Sequence, residues 1–264
     1  MKKLILSFIF IFIFSNQSFA KISHIKFAQL QEEYDDFEDF EDFNFDVSPK
    51  KEVYDPFEKV NRKIFIFNDY VDRYFFEHVA IFYRKSLPKG IRKSIRNFFN
   101  NLSAPFSVVN SIFQGNGQNA MASFSAFLIN TTLGVGGLFN VAGDKEVRYY
   151  EEDLGQTFAY YGSPAGPYLM LPFFGPSNLR DGTGMGINAL VSPLSVNIFD
   201  VGDDELVNEK ILTGFTITSL IDKRESLLKI IEDLRNNSFD PYATARSAFM
   251  QNRNSKINNE HYFK

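Results

Sequence analysis

The feature that most constrains this chain is a shortage of charge. Over residues 97–199 only nine side chains are ionic: Asp144, Lys145, Glu146, Arg148, Glu151, Glu152, Asp153, Arg180 and Asp181, although 23% of the whole chain is charged. The uncharged runs are 97–143, 154–179 and 182–199. A water-exposed helix normally covers its outer face with Lys and Glu, and a chain of 264 residues has no room to hide every face of several helices. A bilayer removes the need for charge on an outer face. Yet no run in the window supplies the roughly 18–20 continuous apolar residues of a spanning helix, because Asn97, Asn100, Asn101, Asn110, Asn116, Asn119 and Asn130 interrupt the longest one. These interruptions let an exported chain escape retention in the first membrane it meets. The expected arrangement is of short helices that lie in or dip into a bilayer, with neutral polar faces turned toward one another and lining a wet path.

The ends of the chain are of another character. MKKLILSFIFIFIFSNQSFA (1–20) reads as a cleaved signal peptide: Lys2 and Lys3, an apolar stretch Leu4–Phe14 too short to span, then Ser18 and Ala20. Residues 21–54 read as an acidic tether, with nine Asp or Glu and no base over 31–46 and like charges that keep it extended. The acidity is thus local, and no basic nucleic-acid footprint exists. A helical body follows over 55–254, and 255–264 reads as a flexible tail.

Within the body the expected class is all-α. Asp55–Pro56 reads as an N-cap and first-turn proline for a helix ending near Ser86, before Pro88. Helices follow over 91–102, 104–114 (opening near Pro105) and 118–133, with Gly115-Asn116-Gly117 as a link. A glycine-rich turn or broken helix, TLGVGGLFNVAG, leads to a short helix within 151–161. Ser177 is the expected N-cap of the next helix. Amphipathic C-terminal helices cover about 203–222, 224–236 and 240–254, the last capped by Asp240 ahead of Pro241. Strand alternation is weak, and the prolines of GPYLMLPFFGPSNLRD (166–181) argue against a buried strand there.

Catalytic and metal readings fail on the residues. There is no Cys, and the three His are scattered without zinc spacing. Gly115–Ala120 matches a degenerate dinucleotide pattern but follows a helix rather than a strand. Ser163 precedes Pro164, which would remove an oxyanion-hole N–H. Arg180 and Asp181, alone in an uncharged window, are expected at a helix start or a polar interface, paired with something. Tyr160, Tyr161, Tyr168, Phe173 and Phe174 suit a membrane-interface belt or ordinary core packing. The chain is read as a non-enzyme with no cofactor.

Four phrases, in order, resemble the MlaA (VacJ) family: DPFEKVNR (55–62), INTTLGVGGLFNVAG (129–143), LGQTFAYYGSPAGPYLMLPFFGPSNLRD (154–181) and SFDPYATARSAFMQNR (238–253). The resemblance implies a ring of helices in the outer membrane around an amphipathic channel. It implies removal of mislocalised phospholipid from the outer leaflet and delivery to a periplasmic lipid carrier, MlaC, which feeds an inner-membrane MlaFEDB complex. It also implies association with a trimeric porin. Two departures stand out. Family members are often lipidated on a Cys, which this chain lacks, so its attachment is expected to rest on embedded helices and the porin. Asn140 stands where the family commonly has Asp. The expected lipid path is Asn130, Thr131, Gly134, Gly136, Gly137, Gln156, Tyr160 and Tyr168. The rival reading is a soluble periplasmic binding or scaffold protein that docks by its low-charge face.

Overall fold

The computed structural model describes residues 53–147, 149–191 and 205–258. The signal peptide, all but the last two residues of the tether, and the tail beyond 258 lie outside the described residues.

The chain is mostly helical. Helix α1 (Glu58–Val71) passes through a π-helical turn (Asp72–Phe76) into α2 (Glu77–Ser86), which ends before Pro88 as expected. Helix α3 (Lys89–Phe113) packs antiparallel to α4 (Gly117–Thr132) across the Gln114–Asn116 link, and the Asn116 side chain caps α4. A glycine-rich turn leads to α5 (Val141–Asp144). Then come α6 (Leu154–Tyr160), a hairpin of β1 (Tyr168–Leu171) and β2 (Gly175–Asn178), and α7 (Leu179–Val191). The chain closes with α8 (Glu205–Ser226), α9 (Leu228–Asn237) and α10 (Pro241–Ile257).

Four local expectations are corrected. The helices expected on either side of Pro105 are one helix, α3. Pro105 is exposed, while Asn101, Ala104, Ser107, Asn110 and Ser111 on the opposite side are buried against neighbours. That packing offsets the roughly 3 kcal/mol that a mid-helix proline costs. Asp55 does not cap α1. Its carboxylate turns instead to Asn61 (2.8 Å), Arg246 (2.7 Å) and the Tyr242 hydroxyl. The cap of α7 is Asn178 rather than Ser177: its Oδ1 accepts from the Asp181 N–H at 2.8 Å.

The fourth correction is the hairpin. β1 and β2 pair antiparallel, Tyr168 opposite Asn178 and Leu171 opposite Gly175. Pro172 falls in the turn, where it breaks nothing, and only Pro176 sits in a strand. The outer edge of β1 is paired by side chains. Asn61 donates to the Tyr168 carbonyl (3.0 Å) and accepts from the Met170 N–H (2.9 Å). One heptad on, Asn68 repeats the pattern on the Leu171 carbonyl (2.9 Å) and the Phe173 N–H (2.8 Å). Two asparagine amides on α1 stand in for a third strand.

The polarity of the interior is inverted. Among the described residues eight buried side chains are hydrophobic, five of them alanines, whereas nineteen are polar or charged. Large apolar side chains are outside: Ile66, Phe82, Ile112, Met121, Leu133, Val135, Phe174 and Leu190 are among many exposed ones. A protein folded in water shows the reverse. No helix among the described residues is long and apolar enough to cross a membrane.

Candidate functional site

The uncharged window folds into a polar seam between α3, α4 and α6. Small residues face each other across α3 and α4: Ala104, Ser107 and Ser111 on one, Ala120, Ser123 and Ala126 on the other, all buried. Small side chains let helix backbones approach closely, and interhelical hydrogen bonds supply attraction where lipid offers no hydrophobic drive. Asn119 donates to Ser111 Oγ (2.8 Å) and the Tyr150 carbonyl (3.1 Å), and accepts from the Tyr150 N–H (2.6 Å). Thr157 donates to Asn110 Oδ1 at 2.8 Å. The neutral polar faces do turn toward one another.

A carboxylate also lies in this seam. Glu152 is buried, and its Oε2 accepts from Gln114 (2.9 Å) and Gln156 (2.6 Å). Burial pushes its carboxyl above the ordinary range, and the Gln114 amide only partly opposes this.

The expected path residues divide into two sets. Asn130, Gly134, Gly137, Gln156 and Tyr168 are buried. Asn130 donates to Asn140 Oδ1 (3.1 Å) and accepts from the Ala142 N–H (2.8 Å). Asn140 in turn caps α5 through the Gly143 N–H (3.0 Å). Position 140 therefore works as a hydrogen-bond acceptor, which an amide serves as well as a carboxylate. Gln156 is held by Glu152 and the Glu151 carbonyl (3.2 Å). Tyr168 packs edge-on against Tyr242 and Phe249. The second set, Thr131, Gly136 and Tyr160, is exposed.

The turn 133–139 holds members of both sets, Gly134 and Gly137 of the first and Gly136 of the second. Val135 (φ 54), Gly136 (φ 70) and Gly137 (φ 90) are left-handed in succession, a rare state for a β-branched residue. Gly137 is required twice over, since a Cβ there would lie 2.6 Å from Asn101 Cβ. Asn101 also donates to Thr131 Oγ1 at 2.9 Å. The turn carries Leu133, Val135, Leu138 and Phe139 outward.

Ionic clasps surround the seam. Arg180 binds Asp181 (2.9 Å), and Asp181 also binds Arg253 of α10 (3.0 Å), which takes Asp153 with both terminal nitrogens (2.6 and 2.7 Å). Arg180 and Asp181 thus sit at a helix start, paired as expected. A second clasp joins Asp55 to Tyr242 and Arg246, and Arg62 to Asp240 (2.7 Å). Burial alone would raise the Asp55 carboxyl, but Tyr242, Arg246 and Asn61 outweigh it and hold the group below its ordinary value of 3.8. A third gathers Arg84, Arg92 and Arg96 on the buried Glu225. Sequence reasoning assigned no role to Asn61, Asn68, Glu225 or Arg253. For Asn61 and Arg253 a signal existed: they lie inside the phrases DPFEKVNR and SFDPYATARSAFMQNR, which the second and first clasps tie to the rest of the body. Among the described residues no acidic or histidine group is assembled to hold a metal.

A family model described as MlaA lipoprotein matches residues 53–256. The chain is 38% identical over 215 residues to an uncharacterized protein of Rickettsia bellii, covering 81% of each. It is 35% identical over 201 residues to the intermembrane phospholipid transport system lipoprotein MlaA of Escherichia coli, covering 75% of this chain and 76% of that one. The corresponding Haemophilus influenzae protein is 32% identical, with 81% and 84% covered. A solved structure presented as the structural basis for maintenance of bacterial outer membrane lipid asymmetry superposes with a TM-score of 0.64 at 35% identity, over 77% of this chain and 98% of that chain.

Proposed function

This chain belongs to the MlaA family, and on that premise we propose that it is the outer-membrane component of a phospholipid transport system. It removes mislocalised phospholipid from the outer leaflet and passes it to a periplasmic lipid carrier of the MlaC kind, which preserves lipid asymmetry. No covalent step is involved. The observation that carries the reading is the inverted polarity: polar residues inside, most of them hydrogen-bonded, and large apolar side chains outside, an arrangement suited to a lipid surround and unsuited to water.

The lipid path follows the glycine-rich turn. Thr131, Gly136 and Tyr160 meet the lipid. Asn130, Gly134 and Gly137 hold the shape of the turn behind them, while Gln156 is fixed at Glu152 and Tyr168 against α10. With no Cys in the sequence, attachment after signal cleavage rests on the outward apolar faces and on a trimeric porin partner.

The test is reconstitution with labelled phospholipid and the carrier, scoring transfer with and without this protein. Carrier loading that rises only when the protein is present supports the proposal. Equal loading in both refutes it. Release of the protein from cells by salt or osmotic shock, without detergent, would instead favour the soluble periplasmic reading. A Gly136→Leu variant that transferred lipid at the parental rate would remove the turn from the path.

A further inference from the structure

The corner between α2 and α3 carries six cations in thirteen residues: Arg84, Lys85, Lys89, Arg92, Lys93 and Arg96. The acids that face them come from α8. Glu225 accepts from Arg84 (2.8 Å), Arg92 and Arg96 (3.0 Å), and Asp222 from Arg96 (3.2 Å) and the Tyr83 hydroxyl (3.1 Å). Both acids are buried, so their charge is spent inward on the arginines. Arg84, Arg92 and Arg96 are thus answered by the two acids, which leaves Lys85 and Lys93 outside that cluster. Since Arg84 and Arg92 converge on one carboxylate, their neighbours Lys85 and Lys93 are brought to the same corner. Both lysines are exposed, and neither has an ion-pair partner among the described residues.

A large apolar side chain stands beside Lys85: Phe82, one turn earlier on α2, is 70% exposed, and Ile91 at the start of α3 is 49% exposed. Arginines satisfied inside, lysines presented outside and bare apolar side chains alongside make a membrane-surface pattern: the apolar groups enter the acyl boundary and the ammonium groups meet phosphates. A protein partner is the weaker fit, because interface cores are depleted in Lys. We propose that the α2–α3 corner is a headgroup-binding surface for anionic phospholipid, with Lys85 and Lys93 as its phosphate contacts. This rests on the membrane residence proposed above and adds a lipid preference to it.

Native mass spectrometry of the detergent-purified full chain tests it, with phosphatidylglycerol and phosphatidylcholine offered separately. Lys85→Gln with Lys93→Gln is expected to weaken phosphatidylglycerol retention about thirtyfold, at about fivefold per lysine near a headgroup surface. Phosphatidylcholine retention should not change, and neither should the melting temperature, since neither lysine is tied to the fold. Raising salt should erase the parent's preference. Unchanged phosphatidylglycerol retention in the double variant overturns the proposal, as does an equal loss for both lipids. A parent chain that retains neither lipid speaks against membrane residence itself, which separates the two failures.

Discussion

Asn61→Ala is the sharpest probe of how this body is held together. Asn61 is 2% exposed and makes three hydrogen bonds, one to Asp55 and two to the β1 backbone. Truncation leaves the Met170 N–H and the Tyr168 carbonyl without partners in a buried place. Each orphaned group costs about 1–3 kcal/mol, so the loss should be about 2–6 kcal/mol, a large share of the roughly 5–15 kcal/mol that keeps a domain folded. At about 2–4 °C per kcal/mol for a body of this size, the melting temperature in detergent should fall by about 10 °C. Asn68→Ala should cost less, because Phe173 is exposed and water can take over its N–H. Hydrogen exchange gives the local readout: the Met170 amide should exchange faster in the first variant and the Phe173 amide in the second. If Asn61→Ala left both the melting temperature and Met170 protection at parental values, Asn61 would not stand in for a missing strand, and the hairpin would be held by β1–β2 pairing and the Tyr168 N–H bond to the Tyr54 carbonyl.

Three further outcomes follow from the geometry. Gly137→Ala should destabilise by more than the roughly 1 kcal/mol of a left-handed alanine, because its Cβ meets Asn101; Gly136→Ala, at φ 70 with open space around it, should cost only that amount, and comparative melts decide. Glu152→Gln should stabilise the fold near neutral pH. The folded carboxyl is raised above its ordinary value of 4.5, so charging it costs stability as pH rises through the folded value; the variant's advantage should vanish below about 4.5, read from melts across pH. For Asp55 the sign is opposite: its folded value is depressed, so its contribution is complete above 3.8 and lost as pH falls below, and Asp55→Asn should flatten that acid limb.

The sequence revealed the polar character of the interior better than it revealed local turns. Missing charge over 97–199 foretold a seam of neutral polar groups, and Asn110, Ser111, Asn119 and Thr157 form one. The two Asp-Pro pairs show where local reading ends. Asp240 caps α10 by accepting from the Ala243 N–H, as its spacing suggests. Asp55 precedes a proline in the same way, yet its carboxylate is claimed by Tyr242 and Arg246, nearly two hundred residues on. A capping bond is worth about 1 kcal/mol, and a charge-assisted bond to a half-buried guanidinium exceeds it. The hairpin escaped notice for a related reason. Its strands are four residues each, one holds a proline, and its free edge is satisfied by asparagines over a hundred residues earlier.

The predominance of asparagine inside the body follows from the same energetics. In the lipid surround proposed above, a buried polar group must be satisfied internally, since no water reaches it. An amide offers two donors and an acceptor at no charge, so Asn61 and Asn68 each bracket two backbone groups of the hairpin, and Asn119 and Asn130 bind the turns behind the seam. A carboxylate or ammonium in those places would need its own counter-charge at a cost of several kcal/mol. Charge pairs join elements distant in sequence, where Asp153–Arg253, Asp55–Arg246 and Arg84–Glu225 each span more than ninety residues. Neutral amides shape the wall and ionic clasps close the chain around it, which leaves the outer surface free to be apolar.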